Sequence, residues 1–370
     1  MSIITHFGWR QRLQMSLYRR MCRNRAKIHP MRQLFWECTL RCNLHCRHCG
    51  SDCKTTTLCP DMPAEDFLRA VDTLLPHVDP HQIMVVITGG EPLVRADLAE
   101  VGRALRDRGF SWGIVTNGWL LDEQKLRELL AAGMLSLTIS LDGLRDDHDW
   151  MRGREGCYDR AIRAIRLLCR TRGLTWDVDT CVTRRNYPHL EEMRQVLLSE
   201  GVKNWRLLTV FPMGRAASDP EMIITDEEFE GLMQFIAQQR ADHEAGRTPL
   251  LCYYGCEGFL GEYERKVRPH FYHCDAGISV ASVLIDGSIS ACTSVRSDYH
   301  QGNIYRDNLW QVWQDRFQVF RDRSWMRKLE PCSDCKLWKY CEGGGMHQRG
   351  ADNRLMICRC QGVNSKEGES

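Results

Sequence analysis

A chain of 370 residues with 43% apolar and 26% charged side chains and a net charge of +2 has the make-up of an ordinary globular protein, long enough for one large α/β domain and a smaller companion. The balanced charge argues against a protein built to coat nucleic acid. No apolar run reaches the roughly 18 residues that a membrane-spanning helix needs, and the N-terminal stretch lacks the apolar core of a secretory signal, so a cytoplasmic protein is expected.

Residues 1–30 carry Arg10, Arg12, Arg19, Arg20, Arg23, Arg25 and Lys27 and no acid. Trp9, Leu13, Leu17 and Met21 recur at helical spacing, so residues 1–32 read as a basic, amphipathic helical extension. Its apolar stripe either packs on the following domain or docks an acidic peptide or a membrane surface.

From 33 to 210, short apolar runs alternate with amphipathic stretches of helical length. The strand-like runs are Gln33–Cys38, Gln82–Thr88, Ser111–Thr116, Leu135–Leu141, Thr175–Val182 and Asn204–Val210. Helical stretches lie near 63–76, 96–108, 122–132, 157–172 and 188–200, with start signals at Pro63, Asp122 and Pro188. Six β-then-α units predict a parallel sheet covered by helices. Right-handed crossovers would curl it into an open, partial (β/α)6 barrel of the TIM type. Chemistry then belongs on the loops at the C-terminal ends of the strands.

Residues 211–251 read as a connector with one helix, Asp226–Ala245. Residues 252–362 change character to short, Gly- and Cys-rich segments, with a hairpin Ser279–Ile285, Asp286-Gly287, Ser288–Cys292. So small a domain with so few apolar runs needs a staple, and metal would serve. Residues 363–370 are a polar tail.

Nineteen cysteines are the main anomaly, and they clump: seven from Cys22 to Cys59, three from Cys157 to Cys181 and nine from Cys252 to Cys360. In a reducing compartment such clumps point to metal ligation. Cys42-x3-Cys46-x2-Cys49 follows the first strand, and three thiolates on one loop hold three corners of a [4Fe–4S] cube while leaving one iron open. Zinc is the competing reading, with His45 and His48 close by, although structural zinc sites usually draw paired ligands from two segments. Gly89-Gly90-Glu91-Pro92 follows the second strand, where two glycines allow close backbone approach and Glu91 adds acceptors at the strand end.

Together with Thr116-Asn117-Gly118 and Ser140-Leu141-Asp142-Gly143 after the third and fourth strands, these motifs resemble the radical S-adenosylmethionine (SAM) superfamily over residues 33–210. The resemblance implies a [4Fe–4S] cluster on Cys42, Cys46 and Cys49. Its open iron would be chelated by the amino and carboxylate groups of SAM, with Gly89, Gly90, Glu91 and Ser140 at the cofactor. Arg152 is a candidate partner for the SAM carboxylate, weighed against a plain surface arginine.

The C-terminal pattern Cys274-x12-Gly287-x4-Cys292, Cys332-x2-Cys335-x5-Cys341, Cys358 and Cys360 is similar to the SPASM extension of peptide-modifying radical SAM enzymes, as is Gly302-Asn303-Ile304. That likeness implies two auxiliary [4Fe–4S] clusters. A distal one would use Cys332, Cys335, Cys341 and Cys358, and a proximal one Cys256, Cys274 and Cys292. The chain departs from the pattern at Gly345, where a cysteine ordinarily completes the proximal cluster. Cys252, Cys360, another residue type or an open iron are the options. A zinc ribbon on Cys332, Cys335, Cys341 and Cys358 is the bland alternative and leaves Cys274 and Cys292 without a role. Cys157, Cys169 and Cys181 read as small buried apolar residues. Cys38, Cys53 and Cys59 are assigned no chemistry, and His45 and His48 read as loop packing.

The implied reaction begins with an external one-electron donor, such as a flavodoxin or ferredoxin. Reductive cleavage of SAM then yields a 5′-deoxyadenosyl radical, which takes hydrogen from a peptide or protein side chain to install a cross-link, thioether or oxidation. No catalytic base is identified. Sulfatase-maturase activity is disfavoured, because Thr293 and Ser294 follow Cys292 where those enzymes place an aspartate. A porphyrin or other small molecule is the alternative substrate, and a metal-binding scaffold the alternative outside catalysis.

Overall fold

The computed structural model describes residues 8–295, 299–359 and 363–364; Cys360 and tail residues 365–370 lie outside the described residues. Helix α1 (Trp9–Ile28) leads into an alternating series: β1 (Gln33–Glu37), α2 (Ala64–Asp72), β2 (Met84–Thr88), α3 (Leu98–Asp107), β3 (Ser111–Thr116), α4 (Glu123–Ala131) and β4 (Met134–Ser140). There follow α5 (Arg145–Arg152), α6 (Cys157–Cys169), β5 (Thr175–Val182), α7 (Leu190–Glu200), β6 (Asn204–Thr209), α8 (Asp226–Glu244) and β7 (Leu251–Tyr254). Strands β1 to β7 pair in chain order, all parallel. The α/β, barrel-like class expected from the alternation is what forms.

Strand alternation explains both faces. Leu34, Trp36, Val85, Ile87, Trp112 and Ile114 are buried beneath the helices, and Trp36 stacks on Phe67 of α2 at 4.3 Å. Gly102 of α3 is glycine because a Cβ there would run into the Trp112 ring. The alternate residues, among them Phe35, Val86, Thr138, Asp177, Arg206 and Tyr253, line a cavity of about 660 Å³ inside the curled sheet.

Three features differ from the sequence reading. First, the sheet does not stop at six strands: β7 adds to β6, and β8 (Val280–Val283) pairs parallel with β1, Gln33 opposite Val280. Strands β9 (Ser288–Ser290) and β10 (Gly302–Asn303) continue beyond β8. The hairpin of the cysteine-rich region thus covers the exposed edge of β1. Its turn spans 284–287, not Asp286-Gly287 alone, with Leu284 N–H donating to the Ser288 carbonyl at 2.9 Å.

Second, α5 is an added helix, closed by Gly153 in a left-handed conformation (φ +68°). Third, α1 turns its apolar stripe outward: Trp9, Leu13, Leu17 and Met21 are 71, 54, 57 and 67% exposed. The opposite face docks, burying Met15, Arg19 and Cys22. Arg19 and Arg23 face Glu342, and Arg25 pairs with Asp275 at 2.6 Å. Helical spacing defines a stripe; the acids on the neighbouring surface chose the other one. Among the described residues no helix is long and apolar enough to cross a membrane.

Candidate cluster and cofactor sites

The loop after β1 gathers Cys42 and Cys46, each 9% exposed, with Cys53 and Cys157 in one buried group against which Cys49 packs. The loop closes on itself through Cys42 N–H to Lys54 C=O (2.8 Å) and Lys54 N–H to Leu40 C=O (3.2 Å). The last turn of α5 holds its middle, with Arg47 N–H on Met151 C=O at 2.8 Å and His45 N–H on Arg152 C=O at 3.3 Å. Arg215 braces the far side, donating to the carbonyls of Cys46 (2.7 Å) and Cys53 (3.1 Å).

The thiols differ in acidity. Burial pushes Cys42 up to about 12 and raises Cys46, which the Arg152 guanidinium opposes. Cys49 is lowered, chiefly because the Cys53 thiol hydrogen-bonds to it. A cysteine assigned no chemistry from the sequence thus sits beside a ligand candidate. Three thiols on one braced loop, one of them already favouring thiolate, are a donor set suited to iron or another soft metal; binding metal would draw the remaining protons off.

Gly89 and Gly90 press against this loop instead of opening onto a void. Gly90 N–H donates to Thr39 C=O at 2.7 Å and Glu91 N–H to Arg41 C=O at 3.0 Å. Glu91, 1% exposed, accepts from Thr116 Oγ1 (2.7 Å), Asn117 N–H (2.8 Å) and Leu93 N–H (3.2 Å). Its carboxylate ties the ends of β2 and β3 together. Asn117 also reaches Asn43 Oδ1 at 2.9 Å and the Cys42 sulfur at 3.9 Å. Ser140 closes β4 beside Asp179 of β5.

Arg152 is no surface arginine: 7% exposed, it pairs with Asp142 at 2.6 Å and points Nη1 at the Cys46 sulfur, 3.7 Å away. Its Nε has no partner. Asp142 also accepts from Cys181 N–H at 2.9 Å, and His48 Nε2 stands 4.0 Å from it. Burial lowers His48 to about 4, so the imidazole is neutral at pH 7.

Asp179 went unnoticed in the sequence. It is half-buried, with an Oδ1 that is enclosed and unpartnered. Burial pushes its carboxyl up to about 6, with Arg206 pulling the other way. The folded chain therefore keeps a proton between about pH 4 and 6 that the unfolded chain releases, and stability falls as pH rises through that window. Asp179→Asn should match the parent near pH 4 and exceed it by on the order of 2 kcal/mol at pH 7. Urea titrations at both pH values test this, and an equal gap at the two would refute it.

Two further thiol groups form in the C-terminal region. Cys332, Cys335, Cys341 and Cys358 line one small cavity, and Cys341 lies in the field of the other three. Arg349 points Nη2 at the Cys332 sulfur, 3.5 Å away. Cys256 is influenced by Cys274 and Cys292, which brings these three together. Cys252, fully buried on β7, answers to Arg240 and Arg194 and to no thiol. Separations of up to 36 residues within one group, Cys256 to Cys292, explain why spacing alone could group them only by analogy.

Residues 36–197 match the family described as the radical SAM superfamily, and residues 274–336 match SPASM, an iron–sulfur cluster-binding domain. An AdoMet-dependent heme synthase of Oleidesulfovibrio alaskensis is 27% identical over 86% of this chain and 83% of its own. The mycofactocin maturase MftC of Mycolicibacterium smegmatis is 27% identical over 85% of this chain and 77% of its own. The crystal structure of Streptococcus suis SuiB bound to S-adenosylmethionine superposes with a TM-score of 0.69 and 18% identity, covering 93% of this chain and 81% of that one, a likeness of fold.

Proposed function

We propose that this chain, a member of the radical SAM superfamily over residues 36–197 with an iron–sulfur cluster-binding SPASM domain over 274–336, removes a hydrogen atom from a peptide or protein side chain. When bound, the [4Fe–4S] cluster and SAM supply the electron and the 5′-deoxyadenosyl radical for that step, and auxiliary clusters carry electrons onward.

The observation that carries the reading is the single loop presenting Cys42, Cys46 and Cys49 at the C-terminal ends of the strands, clamped between Arg152 and Arg215. The three thiols hold the iron. Glu91 fixes the two strand ends around the cofactor position, and Arg152, held by Asp142, keeps a charged donor on the Cys46 sulfur.

For the substrate, the likeness to a peptide maturase supports the first reading. So does the charge of the internal cavity. A tetrapyrrole carrying several carboxylates would call for uncommitted cations, whereas Arg206, Arg240 and Arg268 already face Asp177, Glu244 and Glu264. A tetrapyrrole substrate is the second reading, favoured by the heme synthase alignment across both domains.

Anaerobically reconstituted, dithionite-reduced enzyme should convert SAM to 5′-deoxyadenosine, and Cys46→Ala should not. Small proteins encoded beside this chain's gene and iron-coproporphyrin III are then compared as stimulants of that reaction. A mass change in the protein supports the first reading; a mass change confined to the porphyrin replaces it with the second.

A further inference from the structure

Among the described tyrosines, Tyr272 alone has an enclosed hydroxyl with no hydrogen-bond partner, and the residue is 2% exposed. A buried O–H left unmatched is costly, and each such group needs an explanation. Its surroundings supply one. The sulfurs of Cys274 and Cys256 act on the Tyr272 hydroxyl, and Cys256 in turn faces Cys274 and Cys292. A [4Fe–4S] cube has four irons to ligate, and this group offers three thiols.

The hydroxyl also occupies the place a fourth side chain would fill. A Cβ at Gly345 would stand 2.9 Å from the Tyr272 oxygen. We infer that Tyr272, as a phenolate, ligates the fourth iron of the auxiliary cluster held by Cys256, Cys274 and Cys292. The inference rests on the auxiliary-cluster reading above. His347 is the nearest rival, with its ring carbon Cε1 2.6 Å and Nδ1 3.0 Å from the same Cβ position. Its ring instead packs edge-on against Phe211 at 4.7 Å, and the charge it answers to is Arg323, not a thiol.

Burial and the neighbouring sulfurs hold the free hydroxyl protonated, well above its ordinary range, so iron itself must draw the proton off. The Arg268 guanidinium lies 5.2 Å from the centre of the Tyr272 ring, and Tyr272 N–H is held by Glu264 Oε2 at 2.6 Å. On assembly an Fe–O bond forms, the O–H bond breaks and the proton passes to water, with no change in oxidation state. Such a cluster is fully ligated by the chain. It would exchange electrons with a substrate without binding it at iron.

The test uses the full-length chain carrying Cys42→Ala, Cys46→Ala and Cys49→Ala, so that only C-terminal clusters remain. Resonance Raman spectra of this parent should show iron–tyrosinate ring modes. Adding Tyr272→Phe should abolish them, while adding His347→Ala or Cys360→Ser should not. On mild ferricyanide oxidation, Tyr272→Phe should also raise the [3Fe–4S] electron paramagnetic resonance signal several-fold, since an open iron is lost first. Tyr272→Phe with Gly345→Cys should suppress that signal again without restoring the tyrosinate modes. A parent with iron but no such modes, or one in which His347→Ala or Cys360→Ser opens the cluster, overturns the assignment alone. A parent that binds no iron overturns it together with the auxiliary-cluster reading.

Discussion

Replacing Gly90 with alanine is expected to strip this protein of its N-terminal cluster while leaving the C-terminal iron in place. The added methyl would stand 2.7 Å from the Arg41 carbonyl carbon and 3.1 Å from that of Leu40, both backbone atoms that no rotamer change can move aside. Relief requires the turn after β2 to part from the cysteine loop. That would break the hydrogen bonds from Gly90 N–H to Thr39 and from Glu91 N–H to Arg41. The combined cost is about 3 kcal/mol, and it falls one residue from Cys42. A displacement of an ångström at a reacting centre costs about a hundredfold in rate. The variant should hold about eight irons in place of about twelve, and SAM cleavage, left only to chains that retain a displaced cluster, should be down by at least about a hundredfold. Iron and sulfide analysis with deoxyadenosine assay decides it; full loading and an undiminished rate would refute the account.

Arg152→Met should be nearly as damaging, for an electrostatic reason. Asp142 is 1% exposed, and of the groups that stabilise its charge Arg152 comes first, followed by His48 and His148. Burial lowers those imidazoles to about 4 and about 3, so at neutral pH neither can replace the guanidinium. Removing Arg152 strands a buried carboxylate at a cost of about 3–5 kcal/mol. It also takes a donor from the Cys46 sulfur. The deficit should shrink as pH falls, because burial without the guanidinium raises the stranded carboxyl and it takes up a proton. Arg152→Met with Asp142→Asn should regain most of the stability, since the amide keeps an acceptor for Cys181 N–H, yet should not regain SAM cleavage. Denaturant titrations across pH for the single and double variants test this. Equal instability of the two would show that the pair is not the cause.

The reach of the sequence can be judged from particular residues. The strands from Gln33 to Val210 were legible because each alternates or runs apolar over a length that only a covered parallel sheet accommodates. The cysteine loop was legible because its three ligand candidates are local, within eight positions. Residues 36–197 and 274–336 match the two families that the motifs suggested, and the cofactors follow from those families.

Other features depend on partners far away in the chain. Cys53 looked inert until the loop folded its thiol against Cys49. Asp179 looked like one more strand residue until curling of the sheet enclosed it with Asp142 and Arg206. The outward stripe of α1 was decided by Glu342 and Asp275, more than two hundred residues away.

Local periodicity and spacing, then, were enough to determine the parallel sheet, the position of the Cys42–Cys49 loop at its C-terminal edge and the presence of a second cysteine-rich region. Only the tertiary structure decided that Arg152 serves Asp142 and Cys46, that Glu91 braces two strand ends, and that a buried, unpartnered phenol oxygen stands against Gly345. The reason is physical. Backbone pattern is set by neighbours in sequence, whereas the charge, burial and hydrogen bonding of a side chain are set by whichever atoms the folded chain brings against it.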